Sequence, residues 1–216
     1  MTVMTKSILS CSAALLLCVP LISCDSAPDS PPEPSPQDVF FERLSLLCGK
    51  AYAGILVSEQ EADATMAGKP MIMHAAACDQ NEIQIPFHIA EGPDTWDRSR
   101  TWFLSRTGEG LRLKHRHRHQ DGSLDAVTNY GGDTADEGTA DRQEFPVDAE
   151  SKESFRANGL DQSVTNVWAV EISPPGQTDA LFAYELRRPE SADGRYFRVE
   201  FDLSKPVTPP PPPWGE

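Results

Sequence analysis

The sequence has little cysteine, a deficit of positive charge and no long apolar run. Only 19 basic residues stand against 33 acidic ones, and the net charge is -14. Such a chain repels nucleic acid and anionic lipid headgroups, so we exclude a nucleic-acid role. The longest apolar run, Ile8–Val19, is shorter than the roughly 20 residues that a membrane-spanning helix needs.

Familiar catalytic signatures are also missing from the sequence. It contains no G-x-S-x-G, H-E-x-x-H or C-x-x-C motif, no phosphate-binding glycine loop and no dinucleotide fingerprint. Because these motifs mark the common nucleophilic, zinc, redox and nucleotide-dependent enzymes, binding ranks above catalysis as the expected function.

The amino terminus is typical of an export signal. Lys6 supplies one positive charge ahead of the apolar run Ile8–Val19. The segment ends in Leu21-Ile22-Ser23-Cys24, which resembles the lipobox of bacterial lipoproteins. The resemblance implies that residues 1–23 are a signal peptide, that Cys24 is lipidated, and that the protein is anchored to the periplasmic face of the inner or outer membrane. An ordinary secretory signal cleaved nearby and an uncleaved anchor are the alternatives.

Both ends of the mature chain are rich in proline. Residues 24–37 are rich in proline, serine and acid, which predicts an extended tether. Residues 206–216 include Pro209–Pro213, a polyproline II segment that cannot join a sheet. We expect this tail to be a solvated end, with docking to a partner as the alternative. A single folded domain is expected over residues 38–205.

Two cysteines are left for the folded domain. Cys11 and Cys18 leave with the signal peptide, and Cys24 carries the lipid. Cys48 and Cys78 then lie in an oxidising compartment, where we expect them to form a disulfide. The alternative is a free nucleophilic thiol, but no Cys-His signature surrounds either position.

Two helices are expected. The first is capped by Ser35, with Pro36 in its first turn and Asp38 completing a capping box. Gly49 is a natural stop for this helix. The second helix runs from Asp148 as its cap to Asn158.

Most of the remaining sequence alternates with a period of two, which predicts about nine strands. Turn signals, among them YGGD at residues 130–133, separate these strands. The strands are expected over residues 51–57, 69–78, 82–89, 100–107, 111–119, 124–130, 164–172, 180–188 and 195–203. An antiparallel meander of this size must close to bury its apolar face, so we predict a mainly β domain that forms a lipocalin-like barrel, with a β-sandwich as the alternative.

The segment LRLKHRHRH, residues 111–119, alternates histidine with basic residues. Since alternate side chains of a strand share a face, His115, His117 and His119 point one way. The other face carries Arg112, Lys114, Arg116 and Arg118. We expect the basic face to be solvated and paired with local acids, each pair contributing less than about 1 kcal/mol. An anionic envelope polymer or an acidic patch of a partner is the alternative occupant.

The pairing of residues 124–130 with the histidine strand depends on the turn at Asp121-Gly122. A two-residue turn places Tyr130 opposite Leu113. A three-residue loop with a bulge places Asp125 opposite His117.

Two neighbouring histidines of this strand are about 7 Å apart and can bind one metal ion. A third zinc or copper ligand would be Asp125, under the bulged pairing, or else His74 or His88. The candidate ligand-binding or metal-binding residues are His115, His117, His119, Asp125 and Tyr130. We expect a polar or pH-sensitive histidine face near the barrel mouth rather than a metal site, because short histidine patterns often occur without a metal.

The mature sequence also resembles uncharacterised secreted bacterial proteins that share phrases close to GLRLKHRHRHQDGS, AVTNYGGDT and YFRVEFDL. The resemblance spans most of the chain and implies no known activity. We favour a lipid-anchored envelope protein whose barrel binds a small molecule or a protein partner. The alternatives are a metal-binding protein or metal-dependent hydrolase centred on the three histidines, and a structural or assembly factor of the cell envelope.

Overall fold

The computed structural model describes residues 1–2, 33–174 and 176–216. The predicted lipidation site Cys24 and nearly all of the signal peptide and tether lie outside these residues. The helices are α1 (Pro36–Ser45) and α2 (Ala149–Ala157), and 3₁₀ turns cover Glu61–Asp63 and Asp161–Thr165. The strands are β1 (Ala51–Leu56), β2 (Met71–His74), β3 (Ala77–Cys78), β4 (Glu82–Gly92), β5 (Thr95–Arg106), β6 (Leu111–His117), β7 (Tyr130–Asp133), β8 (Arg142–Pro146), β9 (Val167–Ile172), β10 (Leu181–Arg187) and β11 (Tyr196–Val207).

Both helices begin at the caps that the sequence predicts. The Ser35 hydroxyl accepts a hydrogen bond from the Asp38 backbone N–H, and the Asp38 carboxylate completes the capping box. Asp148 caps α2 through the backbone N–H of Ser151. The buried face of α1 carries Phe40, Phe41 and Leu44, which pack against the inside of the sheet. None of the described helices has the length and apolar character of a membrane span.

The strands form an antiparallel, nearly closed barrel, which confirms the predicted fold class. Neighbours in the sheet follow the order β7-β6-β5-β4-β2-β1-β11-β10-β9-β8, and β3 pairs with β4 outside this path. The first strand pairs with the last one, β11, so both ends of the domain are held in the sheet. The unsealed seam therefore lies between β7 and β8, in the middle of the sequence.

The seam is bridged by glycines and by the start of α2. The Asp148 N–H donates to the Gly131 carbonyl at 2.9 Å, and the Gly131 N–H donates to the Ser151 hydroxyl at 2.8 Å. A Cβ at Gly131 would overlap the carbonyl oxygen of Leu113. One at Gly132 would overlap the backbone of β8. The interpretation of YGGD as a turn is thus wrong: it is strand β7, and its glycines allow close backbone approach.

The expected strand over residues 124–130 does not form. A single bridge joins Arg118 and Leu124, after which the chain leaves the sheet until Tyr130. Asn129 adopts a left-handed conformation with φ 55°, which turns the chain back towards β6. Strand β8, which sequence reasoning missed, supplies the other side of the seam.

The proline-rich tail lies against the barrel wall, although most of its residues remain exposed. The Trp214 N–H donates to the Arg98 carbonyl at 3.2 Å, and the Pro212 carbonyl accepts from the Arg98 guanidinium at 2.8 Å. Pro213 is buried. The expectation of free solvation is corrected because polyproline carbonyls have no internal partners, and here they find donors on the barrel wall.

The predicted disulfide between Cys48 and Cys78 is present. It joins the segment after α1 to β3, across a sequence separation of 30 residues. The covalent link therefore holds α1 to the sheet in addition to the apolar contacts of Phe40 and Leu44.

We expect the double variant Cys48→Ser/Cys78→Ser to lose about 3 to 4 kcal/mol of unfolding free energy, because the disulfide lowers the conformational entropy of the unfolded chain. Urea denaturation of the variant and of the wild type measures the loss. Reductant should lower the stability of the wild type alone. A loss under about 1 kcal/mol would contradict the expected contribution of the loop.

Candidate functional site

Strand β6 places part of its histidine face inside the barrel. Leu111, Leu113 and His115 are buried, while the side chains between them lie on the outer wall. His117 lies at the end of the strand and is partly buried. His119 follows the strand, and its side chain is 57% exposed. The three histidines therefore occupy three different environments.

His115 is fixed inside the barrel by two hydrogen bonds. Its Nδ1 lies 3.1 Å from the Tyr130 carbonyl oxygen, which can only accept, so Nδ1 carries the proton. Its Nε2 lies 2.8 Å from the Tyr184 hydroxyl, which must then donate. Burial, together with the nearby His117, lowers the pKa of His115 to about 3. The ring is consequently neutral at pH 7, and both of its nitrogens are in use.

Aromatic rings fill the space around His115. The ring of Tyr130 stacks on it with centroids 4.8 Å apart, and Trp168 lies 5.0 Å away. Trp102 stacks on Tyr184 at 4.4 Å and on Phe87 at 4.8 Å. Other large side chains that are almost completely buried complete the interior: Phe40, Phe145, Phe182 and Phe201. The inside of the barrel is a packed core.

His117 and Tyr130 form a second histidine–tyrosine pair closer to the end of the barrel. The Tyr130 hydroxyl lies 2.9 Å from His117 Nε2. Burial and the charge of Arg100 lower the pKa of His117 to about 4. Burial also raises the pKa of Tyr130 to about 12. Both groups are neutral at pH 7, and the pair forms a polar boundary to the packed interior.

The loop after β6 agrees with the bulged pairing at its start. The Asp125 N–H donates to the His117 carbonyl at 3.0 Å, and Gly122 in the loop has φ 86°. The Asp125 carboxylate accepts a hydrogen bond from the Val127 N–H at 2.8 Å, and its Oδ2 lies 3.8 Å from His119 Nε2. The aspartate and His119 thus meet at the surface of the hairpin.

The proposed metal ligands are not brought together. Among residues 33–174 and 176–216, no three His, Cys, Asp or Glu side chains converge on a position that could hold a metal ion. His115 would have to give up a buried hydrogen bond to coordinate. Strand alternation places His74 and His88 on the outer face of the wall, since their neighbours Met73 and Phe87 face the core.

The basic face of β6 is occupied by partners within the chain. Each residue contacts a nearby acid or carbonyl: Arg112 with Asp133, Lys114 with Asp148 and Glu150, Arg116 with Glu216, and Arg118 with the Gly122 carbonyl. The Arg116 guanidinium also lies 4.1 Å from the centre of the Phe103 ring. These local pairs match the expectation of a solvated, locally paired face better than a free anion-binding surface.

Sequence reasoning missed an ion-pair network on the outer face of β8–β11. At its centre is Glu185, whose side chain is 2% exposed. Guanidinium groups on three strands surround its carboxylate: Arg142 at 2.8 Å, Arg187 at 2.6 Å and Arg198 at 3.1 Å. The outward positions of these strands are charged in the sequence, but only the cross-strand register shows which charges meet. Glu171 of β9 also pairs with Arg142 and Arg198, so the network joins four strands of the barrel wall.

We expect acidification to destabilise the protein through its buried neutral histidines. Burial lowers the pKa of His88 to about 4, as it lowers those of His115 and His117. Between pH 6.5 and 5 the histidines of the unfolded chain therefore take up protons that those of the folded chain do not. This lowers the free energy of unfolding by about 2 kcal/mol per histidine.

Urea denaturation measures how much the free energy of unfolding falls between pH 7.5 and pH 5. We expect this fall to be about 2 kcal/mol smaller in the variant His115→Gln than in the wild type. The matched control His119→Gln, at an exposed position, should leave the fall as it is. An unchanged fall in His115→Gln would show that His115 is not held neutral by the fold.

Comparison of the chain with protein-family models, curated proteins and solved structures finds no match in any of the three. The functional argument therefore depends on the residues and contacts described above.

Proposed function

We propose that the protein is a lipid-anchored bacterial envelope protein whose barrel binds a protein partner through its outer surface. The observation that supports this most strongly is the filled interior: Trp102, Trp168 and Tyr184 occupy the space that a lipocalin-like carrier would leave for a ligand. A binding function then has to use the outer wall or the loops.

The proposed location depends on the sequence of the amino terminus. The apolar run Ile8–Val19 and the lipobox-like ending at Cys24 favour export and lipidation. Two or more acyl chains anchor a protein stably without a membrane-spanning helix. The disulfide between Cys48 and Cys78 is consistent with an oxidising compartment.

The chemistry of the interior favours a structural role over a catalytic one for His115 and His117. His115 is enclosed by aromatic rings and holds a fixed tautomer, so a substrate has no route to either ring nitrogen without displacing Tyr130 or Tyr184. The other buried part of the histidine face is His117 with Tyr130. The His117 imidazole and the Tyr130 hydroxyl are neutral and hydrogen-bonded to each other. This arrangement stabilises the fold and orders the end of the barrel.

Radiolabelled palmitate should enter the wild-type protein in a bacterial host and be absent from Cys24→Ala, because the Cys24 thiol is the proposed acceptor. Cys18→Ala is the matched control, since it changes a cysteine of the same leader and should keep the label. Label in Cys24→Ala, or an unlabelled wild type, would overturn the proposed anchor.

The filled interior predicts that the wild-type barrel takes up no small aromatic ligand. Trp102→Ala should lose about 3 to 5 kcal/mol of stability and leave a dry void that binds indole. Calorimetric titration with indole measures the binding, and Trp96→Ala, at a partly exposed position near the start of β5, should show none. Stoichiometric uptake of indole by the wild type would contradict a packed interior and favour a small-ligand carrier.

A further inference from the structure

The C-terminal residues 208–216, which we call the strap, cross the outside of the barrel wall. The strap begins after Val207, which pairs with Ala51 of β1. It ends beside the loop that follows β6, where a Cβ on Gly215 would lie 2.9 Å from the Gly122 Cα. Between β1 and β6 the sheet order places β2, β4 and β5, so the strap runs across these strands.

Polar groups of β4 and β5 recognise the backbone of the strap. The His88 ring donates from Nε2 to the Pro211 carbonyl at 3.2 Å, and the Arg98 guanidinium donates to the Pro212 carbonyl at 2.8 Å. In return, the Trp214 N–H donates to the Arg98 carbonyl at 3.2 Å. A proline-rich segment offers its carbonyls to such donors, because these carbonyls have no partners within the segment.

The outer wall in this region is covered. Pro86 and His88 of β4, and Thr101 and Phe103 of β5, lie between inward-facing residues and are buried with the strap in place. Outward positions of an antiparallel barrel are ordinarily polar and solvated. In addition, His88 Nδ1 is buried and has no hydrogen-bond partner among the described residues. These features distinguish this face from the charged outer wall of β8–β11.

The charge of the site matches the carboxyl end of the strap. Arg98 lies under the prolines, and Arg116 lies 3.8 Å from the Glu216 carboxylate. The Arg118 side chain lies next to Gly215, with 3.4 Å between its Cδ and a Cβ built on that glycine. The face thus accommodates consecutive prolines followed by an aromatic residue and an acidic end.

The strap is separable from the fold. It follows the last strand, so its release leaves every backbone pair of β11 in place. Five consecutive prolines favour an extended polyproline II conformation in solution, so a released strap gains little conformational freedom. A segment of the same chemistry from another protein can therefore take its place.

We infer that the face of β4–β6 under the strap is a recognition site for a proline-rich segment of a partner protein, and that the strap occupies this site in cis. The segment has several consecutive prolines followed by an aromatic and an acidic residue. The inference rests on the proposed function, since it names the class of partner that the outer surface binds.

The test uses the full chain with Pro209–Pro213 replaced by alternating glycine and serine, so that the strap keeps its length but not its conformation. The probe is a fluorescent synthetic peptide with the sequence of residues 208–216. Its binding is measured by fluorescence anisotropy. We expect the peptide to bind this variant at least about ten-fold more tightly than the wild type, whose own strap competes at a millimolar effective concentration.

Arg98→Ala in the strap-replaced chain should weaken peptide binding about ten-fold, since it removes the donor to the Pro212 carbonyl. Arg112→Ala is the matched control, because this arginine lies on the same outer wall but pairs with Asp133. A peptide in which glycine and serine replace the prolines should not bind. Equal effects of both substitutions would overturn the inference, as would a strap-replaced chain that unfolds cooperatively yet binds no peptide.

A second measurement needs no change in the strap. Millimolar peptide should increase hydrogen exchange at the Trp214 amide of the wild type, because the peptide displaces the strap. No change in exchange would contradict the inference, and so would a wild-type dimer that exchanges its straps, since the occupant would then be a second copy. Palmitate labelling and indole uptake do not involve the strap, so a failure here is distinguishable from a failure of the proposed function.

Discussion

Trp102 stacks between Phe87 and Tyr184 inside the barrel, with ring centroids 4.8 Å and 4.4 Å away, and the Tyr184 hydroxyl donates to His115. Each aromatic pair contributes about 0.5 to 1.5 kcal/mol beyond its burial. The hydrogen bonds of His115 select one packing arrangement of the interior, because a buried ring nitrogen without a partner would cost about 1 to 3 kcal/mol. The rings and these bonds together require the neighbouring strands β5 and β6 to face β10 across the nearly closed barrel.

This packed interior also explains the form of the seam. The sheet curves around the aromatic core until β7 and β8 meet. Gly132 lets the backbones of β7 and β8 approach where a side chain would clash, and Gly131 does the same between β7 and β6. The first turn of α2 then supplies the Ser151 hydroxyl to the unpaired Gly131 N–H. The exposed edges of an open sheet are thus covered by the chain itself.

Local signals in the sequence predict the helices, most strands and the barrel, because caps and two-residue alternation depend on neighbours along the chain. They do not predict the seam or the strap. Gly132 is restricted by the backbone of Pro146, and His88 by the carbonyl of Pro211, which are distant in sequence. The pattern of β6 likewise assigns His115 and His117 to one face, but the depth of burial that separates them depends on the whole barrel.

The proposed function depends on the contrast between the packed interior of the barrel and its outer walls, which differ from one another in chemistry. Inside, His115 and His117 are neutral and hydrogen-bonded to tyrosines. Outside, one wall carries the ion-pair network around Glu185, and another carries the apolar, histidine-containing face under the strap. The second wall combines burial with polar groups directed at a backbone, which favours it as the surface for a partner.

The central claim, a barrel closed around a fixed neutral His115, is tested most directly by nitrogen-15 NMR of its imidazole. We predict a single tautomer with the proton on Nδ1 and no titration between pH 8 and pH 5, since burial lowers its pKa to about 3. A ring that averages between tautomers and titrates near the ordinary pKa of about 6.5 would show that solvent reaches the interior and would contradict the account.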